Sequence, residues 1–391
     1  MIITQTRAML VDAYRELNAR KLFWITMGLN VLVVGVFASL GINENGPTFL
    51  HWEFDNRILN ADTISPGLFY RLQFVTWGTP FWLSWVATIL ALVSTAGIVP
   101  DLVAGGSIET LVSKPISRLR LFITKYVFGL LFATLQVAVF CIGCFLVMWI
   151  RGGVTEWGLF MAIPIVVLFF SYLFSVCALL GMLTRSTIAA LLITIVLWFL
   201  VFAVNATDRT LVGFREDARL RVEDAREQLE NQTTLADRRL EQIDASGEAI
   251  EDNEGNAITD PDDRRQAAFP MISRTRTRLE EAEQQLENWE TWTGRVYLVK
   301  TVFPKTQETI KLLDRFLITQ AELGKLMAQE NGFDPPPDDE QPDVPFQDER
   351  LPGRVEEAMR SRDATWIIGT SLAFEFVVLA LASVIFVRRD F

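Results

Sequence analysis

Six stretches of this chain are each long and apolar enough to cross a lipid bilayer, at approximately residues 22–42, 80–99, 126–150, 159–183, 187–205 and 365–387. A membrane-spanning helix needs about 20 mainly apolar residues, and it must satisfy its backbone polar groups internally because the hydrocarbon offers no water. These stretches therefore predict an all-α integral membrane protein with six transmembrane helices. The first does not read as a signal peptide, since its apolar run is too long and no small-residue cleavage site follows before Asn43.

The charged residues are distributed unevenly around these runs. Residues 206–364 carry 36 acidic and 22 basic side chains, a net of −14, while the other 232 residues carry 11 and 14, a net of +3. Half of the 391 residues are hydrophobic, yet the whole chain has a formal charge of −11. This combination excludes a single soluble domain and a fully disordered chain. It predicts an apolar part, fused to a large polar insertion between the fifth and sixth spans.

Lysine and arginine placement sets the expected orientation. With a cytoplasmic N-terminus, Arg7, Arg15, Arg20, Lys21, Lys114, Arg118, Arg120, Lys125, Arg185, Arg388 and Arg389 fall on the cytoplasmic side. Those eleven compare with only three in the short outer loops, Arg57, Arg71 and Arg151. The expected organisation is a cytoplasmic amphipathic helix at 1–21, spans one to five within 22–205 with a cytoplasmic loop at 100–125, an extracytoplasmic insertion at 206–364, and the sixth span with its tail at 365–391. Ile2, Met9, Ala13 and Leu17 give the first segment a helical apolar stripe suited to the headgroup plane. The loop at 43–79 is rich in aromatic residues, including Trp52, Phe54, Tyr70 and Trp77, which fits an interfacial belt.

Within the insertion, residues 212–245 and 264–302 both read as charged helices, separated by a turn region at 246–263. They suggest an antiparallel, partly coiled-coil hairpin. Residues 305–330 form a further amphipathic stretch, and DPPPDDEQPDVP at 334–345 reads as an extended linker. The bland alternative is a solvated helical insertion with no binding role.

Several chemistries are unsupported. Cys141, Cys144 and Cys177 lie in apolar runs, and His51 is the only histidine, so no disulfide framework, zinc site or Ser/His/Asp triad is indicated. No metal site and no cofactor bound by this chain are expected. No basic stripe suggests nucleic acid. No Gly-x4-Gly-Lys-Ser/Thr phosphate loop occurs, so ATP hydrolysis by that motif is not expected of this chain. Cys141 and Cys144 form a CxxC inside the third span, where small residues serve close helix packing. Glu375 is the one acid within a predicted span; either it fixes helix packing through a hydrogen bond, or it lines a route or a proton-linked site. Gln136, at an estimated similar depth, is its candidate partner.

The loop joining the second and third spans carries the most specific pattern. Gly105-Gly106 permits a tight turn, Ser107 can cap a short helix, and Pro115 ends it, with Ser117 placed to cap the third span. A short helix held between rigid turns suits docking into a groove on a partner. The run Asp101-x4-Gly106-Ser107-Ile108-x-x-Leu111-x-Ser113-Lys114-Pro115-Ile116-Ser117-Arg118 resembles the permease subunit of type-two ABC transporters, nearest the branch linked to multicopper-enzyme maturation. The resemblance covers about residues 1–205 and 365–391, and the insertion has no counterpart in the shorter members. It implies a coupling helix that contacts a separate ATPase, with that role falling on Gly106, Ser107, Glu109, Leu111, Ser113, Pro115, Ser117 and Arg118. It further implies ATP bound by the partner ATPase, a second permease subunit, identical or not, and residence in a cell membrane, the bacterial inner membrane. The alternative from another class is a membrane-anchored scaffold whose helical extracytoplasmic part binds a partner protein.

The expected orientation has a direct consequence. Single cysteines placed at Ser246 and Gln341 should react with an impermeant reagent in intact cells, while one at Ser113 should not. Protection of the first two would overturn the orientation.

Overall fold

The computed structural model describes residues 21–54, 61, 64–100, 117–247, 250, 258–317, 348 and 350–388. The expected amphipathic helix before Lys21, the short helix at 107–113 and the linker at 334–345 lie outside the described residues. The chain divides into two compact units, Met1–Ala203 with Val302–Pro336 and Asp363–Phe391, and Val204–Thr301 with Pro337–Arg362.

The first unit contains the apolar helices. Helix α1 spans Lys21–Ser39 and runs into a small antiparallel meander, β1 Leu40–Asn43, β2 Gly46–Phe49 and β3 Trp52–Glu53. This meander departs from the expected all-α fold. Its first turn is built locally: Asn43 Oδ1 accepts the backbone N–H groups of Asn45 at 3.1 Å and Gly46 at 3.0 Å, and Gly46 takes a φ of 141°. Such a φ strongly favours glycine.

The second apolar segment begins earlier than hydropathy suggests. Helix α2 covers Pro66–Gln73, with Ser65 capping the Leu68 N–H at 3.4 Å. It continues as a π-helix over Phe74–Ala87 and then α3, Thr88–Thr95. Pro80 reads as a boundary from sequence because it lacks an N–H and crowds the preceding turn. Here it sits inside the wider π winding. Ser84 and Thr88 hydroxyls donate to carbonyls five residues back, Thr79 and Leu83, each at 2.8 Å.

Helix α4, Arg118–Gly152, packs against α1, α2 and α5. Helix α5 spans Ala162–Thr184 after a short 3-10 turn at Trp157–Met161, and α6 spans Thr187–Ser246. Close approach depends on small residues. A Cβ at Gly129 would meet the Phe174 ring at 2.4 Å, and one at Gly143 would meet Val34 at 2.7 Å. Gly143 lies between Cys141 and Cys144, which are both fully buried and free. The CxxC region is therefore a helix contact, consistent with the packing role expected of small residues between apolar helices.

The second unit combines a narrow apolar seam, with Val212, Leu220, Val222 and Ile272 buried, and ion pairs between its helices. In it α6 lies antiparallel to α8, Met271–Val302, through Arg219–Glu290 at 2.9 Å, Arg226–Glu283 at 2.6 Å and stacked Phe214 and Trp289 rings at 4.7 Å. Helix α7, Pro261–Ala268, joins the same unit through Arg265–Asp237 at 2.7 Å. The break between α7 and α8 falls at Phe269-Pro270, within a stretch that reads as one helix from its periodicity.

Residues 302–317 are grouped with the apolar unit rather than with the charged helices before them. They form α9, Thr306–Lys311, and α10, Asp314–Leu317, with α9 packed on α5 and on the last long helix, α12, Ala364–Arg388. Helix α11, Leu351–Arg360, precedes α12 in the charged unit. Among the described residues, six helical segments are long and apolar enough to cross a membrane, Lys21–Ser39, Pro66–Pro100, Arg118–Gly152, Trp157–Thr184, part of Thr187–Ser246 and Ala364–Arg388.

Gly129→Leu should test the α4–α5 contact. Overpacking costs about 1–3 kcal/mol, so the variant should show a lowered thermal midpoint in detergent, while Gly28→Ala in α1, where an added Cβ meets nothing within 4 Å, should change it far less.

Candidate functional site

Of the loop positions to which the resemblance assigns coupling, Gly106, Ser107, Glu109, Leu111, Ser113 and Pro115 lie outside the described residues. Ser117 and Arg118 are described. Ser117 is the N-cap of α4, with its side chain accepting the Arg120 N–H at 3.4 Å, and Arg118 is the first residue of that helix.

The polar groups of the apolar unit are more informative. Helix α12 buries Ile367, Ser371, Glu375, Val378, Ala382 and Phe386 along one stripe, so Glu375 points into the protein. Its carboxyl accepts two hydroxyl hydrogen bonds: Tyr126 of α4 donates to Oε1 at 2.8 Å, and Ser171 of α5 donates to Oε2 at 2.8 Å. Three helices thus meet at one carboxyl group.

Gln136 is not its partner. The Gln136 amide is buried and donates instead to the Ala87 carbonyl at 3.1 Å, at the junction where the π-helix gives way to α3. Counting residues from the predicted span start misjudges the level, because α4 begins at Arg118, eight residues before Tyr126. The long Tyr126 side chain then covers the remaining distance.

A turn away, Ser371 accepts the backbone N–H of Lys305 at 2.9 Å and donates to the Ile367 carbonyl at 2.7 Å. Lys305 is fully buried, with its ammonium 4.9 Å from the Trp366 ring centroid. The sequence places Lys305 in a solvated insertion, and nothing in its local pattern signals its return to the apolar unit. A similar pair joins the first two apolar segments, where Trp82 donates to Asn30 Oδ1 at 3.1 Å. Asn30 interrupts an otherwise apolar run, which is the signal that marks it.

The charged unit has its own buried centre. Asp208 has no exposed surface and receives Lys300 at 2.7 Å and Arg362 at 2.7 Å and 3.1 Å. Burial opposes its charge, but the Arg362 hydrogen bond and the nearby Lys300 outweigh that and hold the carboxyl below the ordinary aspartate range. Asp224 and Glu223 of α6 add Arg350 at 2.8 Å and Arg354 at 2.7 Å. These contacts bring the segment around α11 alongside α6. Sequence periodicity does not single out Asp208, because one aspartate among many on a charged helix carries no mark of burial.

Together these features define a helical protein with several apolar helices fit for a membrane and a separate charged helical unit. Comparison with known protein families, with characterised proteins and with solved structures finds no match.

Asp208→Asn should cost about 3–5 kcal/mol, the range for removing one member of a buried ion pair. The readout is faster proteolysis of the charged unit at neutral pH. Because the folded carboxyl has a depressed pKa, its contribution is complete above about pH 4, the unfolded value, and is lost as pH falls through the folded one. The difference between wild type and variant should therefore stay constant from about pH 7 down to pH 5 and narrow only in stronger acid.

Proposed function

We propose that this chain is the membrane-spanning permease subunit of an ABC transporter. It moves a substrate across the membrane using ATP hydrolysed by a separate ATPase subunit, and it pairs with a second permease subunit. In this reading six spans place both termini in the cytoplasm of a bacterial inner membrane, and the charged helical unit lies outside. The observation that carries it is the run from Asp101 to Arg118, with its Gly105-Gly106 turn, Ser-Lys-Pro stop and Ser117 cap, lying between the second and third apolar helices. The six membrane-compatible helices support it; in this reading the phosphate loop that these residues lack belongs to the ATPase subunit.

The charged unit favours a second reading, a membrane-anchored scaffold. Its helix α6 exposes charged side chains such as Glu227, Glu230, Arg238 and Arg239, suited to a protein partner outside the membrane.

The two readings separate on copurification. Tagged protein extracted without crosslinker should retain an ATPase that carries a phosphate loop. Glu109→Lys and Leu111→Asp should each reduce that ATPase at least tenfold without altering expression or insertion. Unchanged recovery with both variants would remove the coupling assignment, and a recovered partner that binds only the charged unit would favour the scaffold.

A further inference from the structure

The Glu375 site holds more hydrogen-bonding capacity than a fixed packing contact needs. Each hydroxyl that reaches the carboxyl also lies within hydrogen-bonding distance of a backbone carbonyl. Tyr126 Oη is 2.8 Å from Glu375 Oε1 and 3.0 Å from the Ser171 carbonyl oxygen. Ser171 Oγ is 2.8 Å from Glu375 Oε2 and 2.8 Å from the Leu168 carbonyl oxygen. Both donors therefore have two acceptors, one on the carboxyl and one on the backbone of α5.

We infer that Glu375 is a reversible proton-binding site, in which Tyr126 and Ser171 serve both the charged and the neutral carboxyl without movement of any heavy atom. In the charged state both hydroxyls donate to the carboxylate, which only accepts. When a proton arrives from water or hydronium, one O–H bond forms on Oε1 or Oε2 and no other covalent bond changes. The hydroxyl facing that oxygen rotates its hydrogen to the backbone carbonyl, Ser171 O for Tyr126 or Leu168 O for Ser171. Its oxygen lone pair then accepts the new carboxylic O–H. Every polar hydrogen has an acceptor in both states. A buried network satisfied in only one state would strongly favour that state, since an unmade buried hydrogen bond is expensive.

The titratable and charged side chains on the surrounding elements are few among the described residues. Helix α4 contributes Tyr126, α5 contributes Tyr172, and the α9 segment contributes Lys305 and Glu308, all buried. The Lys305 ammonium lies over Trp366, and its backbone N–H is directed to Ser371, one helical turn from Glu375. The two contacts made to the carboxyl are both from neutral hydroxyls, so it is not locked as a carboxylate by a direct ion pair.

The inference is independent of the coupling assignment, because it concerns an exchange that the chain performs without an ATPase. It is tested by pH-difference infrared spectroscopy on the purified full chain in lipid nanodiscs, with wild type, Glu375→Gln, Tyr126→Phe and Ser171→Ala. The wild type should show a protonated-carboxyl stretch that grows as pH is lowered, disappears reversibly as pH is raised, and is missing in Glu375→Gln. Tyr126→Phe and Ser171→Ala each remove one donor to the carboxylate. At a fixed pH within the transition, each should raise the ratio of acid to carboxylate about tenfold, as expected for losing one hydrogen bond to a charged group. Should Glu375→Gln fail to assemble, the two hydroxyl variants, which keep the acid, decide the matter by that tenfold change. A Glu375 signal constant across the pH range, or a transition unmoved in both hydroxyl variants, would overturn the inference.

Discussion

Polar groups carried on apolar helices have to find partners inside the helical assembly, and much of the first unit is arranged around that requirement. A side-chain amide or carboxyl that faces only hydrocarbon keeps its full desolvation cost. Asn30 meets the Trp82 indole, Gln136 meets the Ala87 carbonyl, and Glu375 meets two hydroxyls. Each pairing joins different helical segments, so satisfying the polar atom also selects which helices are neighbours and in what rotation. Shorter polar side chains solve the same problem locally: Thr95, Thr134, Thr194 and Thr370 donate to the carbonyl four residues earlier in their own helices. They specify nothing between helices.

The charged unit meets the opposite condition. Arg219–Glu290 and Arg226–Glu283 are exposed and individually weak. Asp208 differs because it is wholly buried and shared by two cations from distant parts of the chain. Such a centre gives little net stability over an apolar replacement, yet it tolerates very few alternative pairings. It therefore fixes the alignment of α6, α8 and the segment after α11 more sharply than the surface ion pairs can.

Much of the helical framework was legible in the sequence because its signals are local and additive. The apolar runs emerge as helices, Ser117 caps α4, and the turn region expected after 245 falls where α6 ends at Ser246. What escaped depends on contacts distant in sequence. Tyr126 and Ser171 are ordinary residues in apolar helices until they are seen to flank Glu375, and Lys305 belongs by composition to the charged insertion. The meander at Leu40–Glu53 escaped for another reason: its strands are only two to four residues long, too short for an alternating pattern to declare itself.

The π-wound stretch Phe74–Ala87 has a consequence for how this chain can change over evolutionary time. A π turn holds more residues than an α turn, and such turns arise where an extra residue is taken up within a helix. Losing a residue there would let the backbone relax toward ordinary winding and turn everything before it relative to everything after it. Tyr70, whose hydroxyl reaches the Leu40 carbonyl at 2.8 Å, lies on one side of that joint, and Ala87, which receives Gln136, closes the other. Single-residue insertions and deletions in this stretch are therefore mutations of rotational phase, altering which faces of two flanking helices look inward while leaving their composition nearly intact.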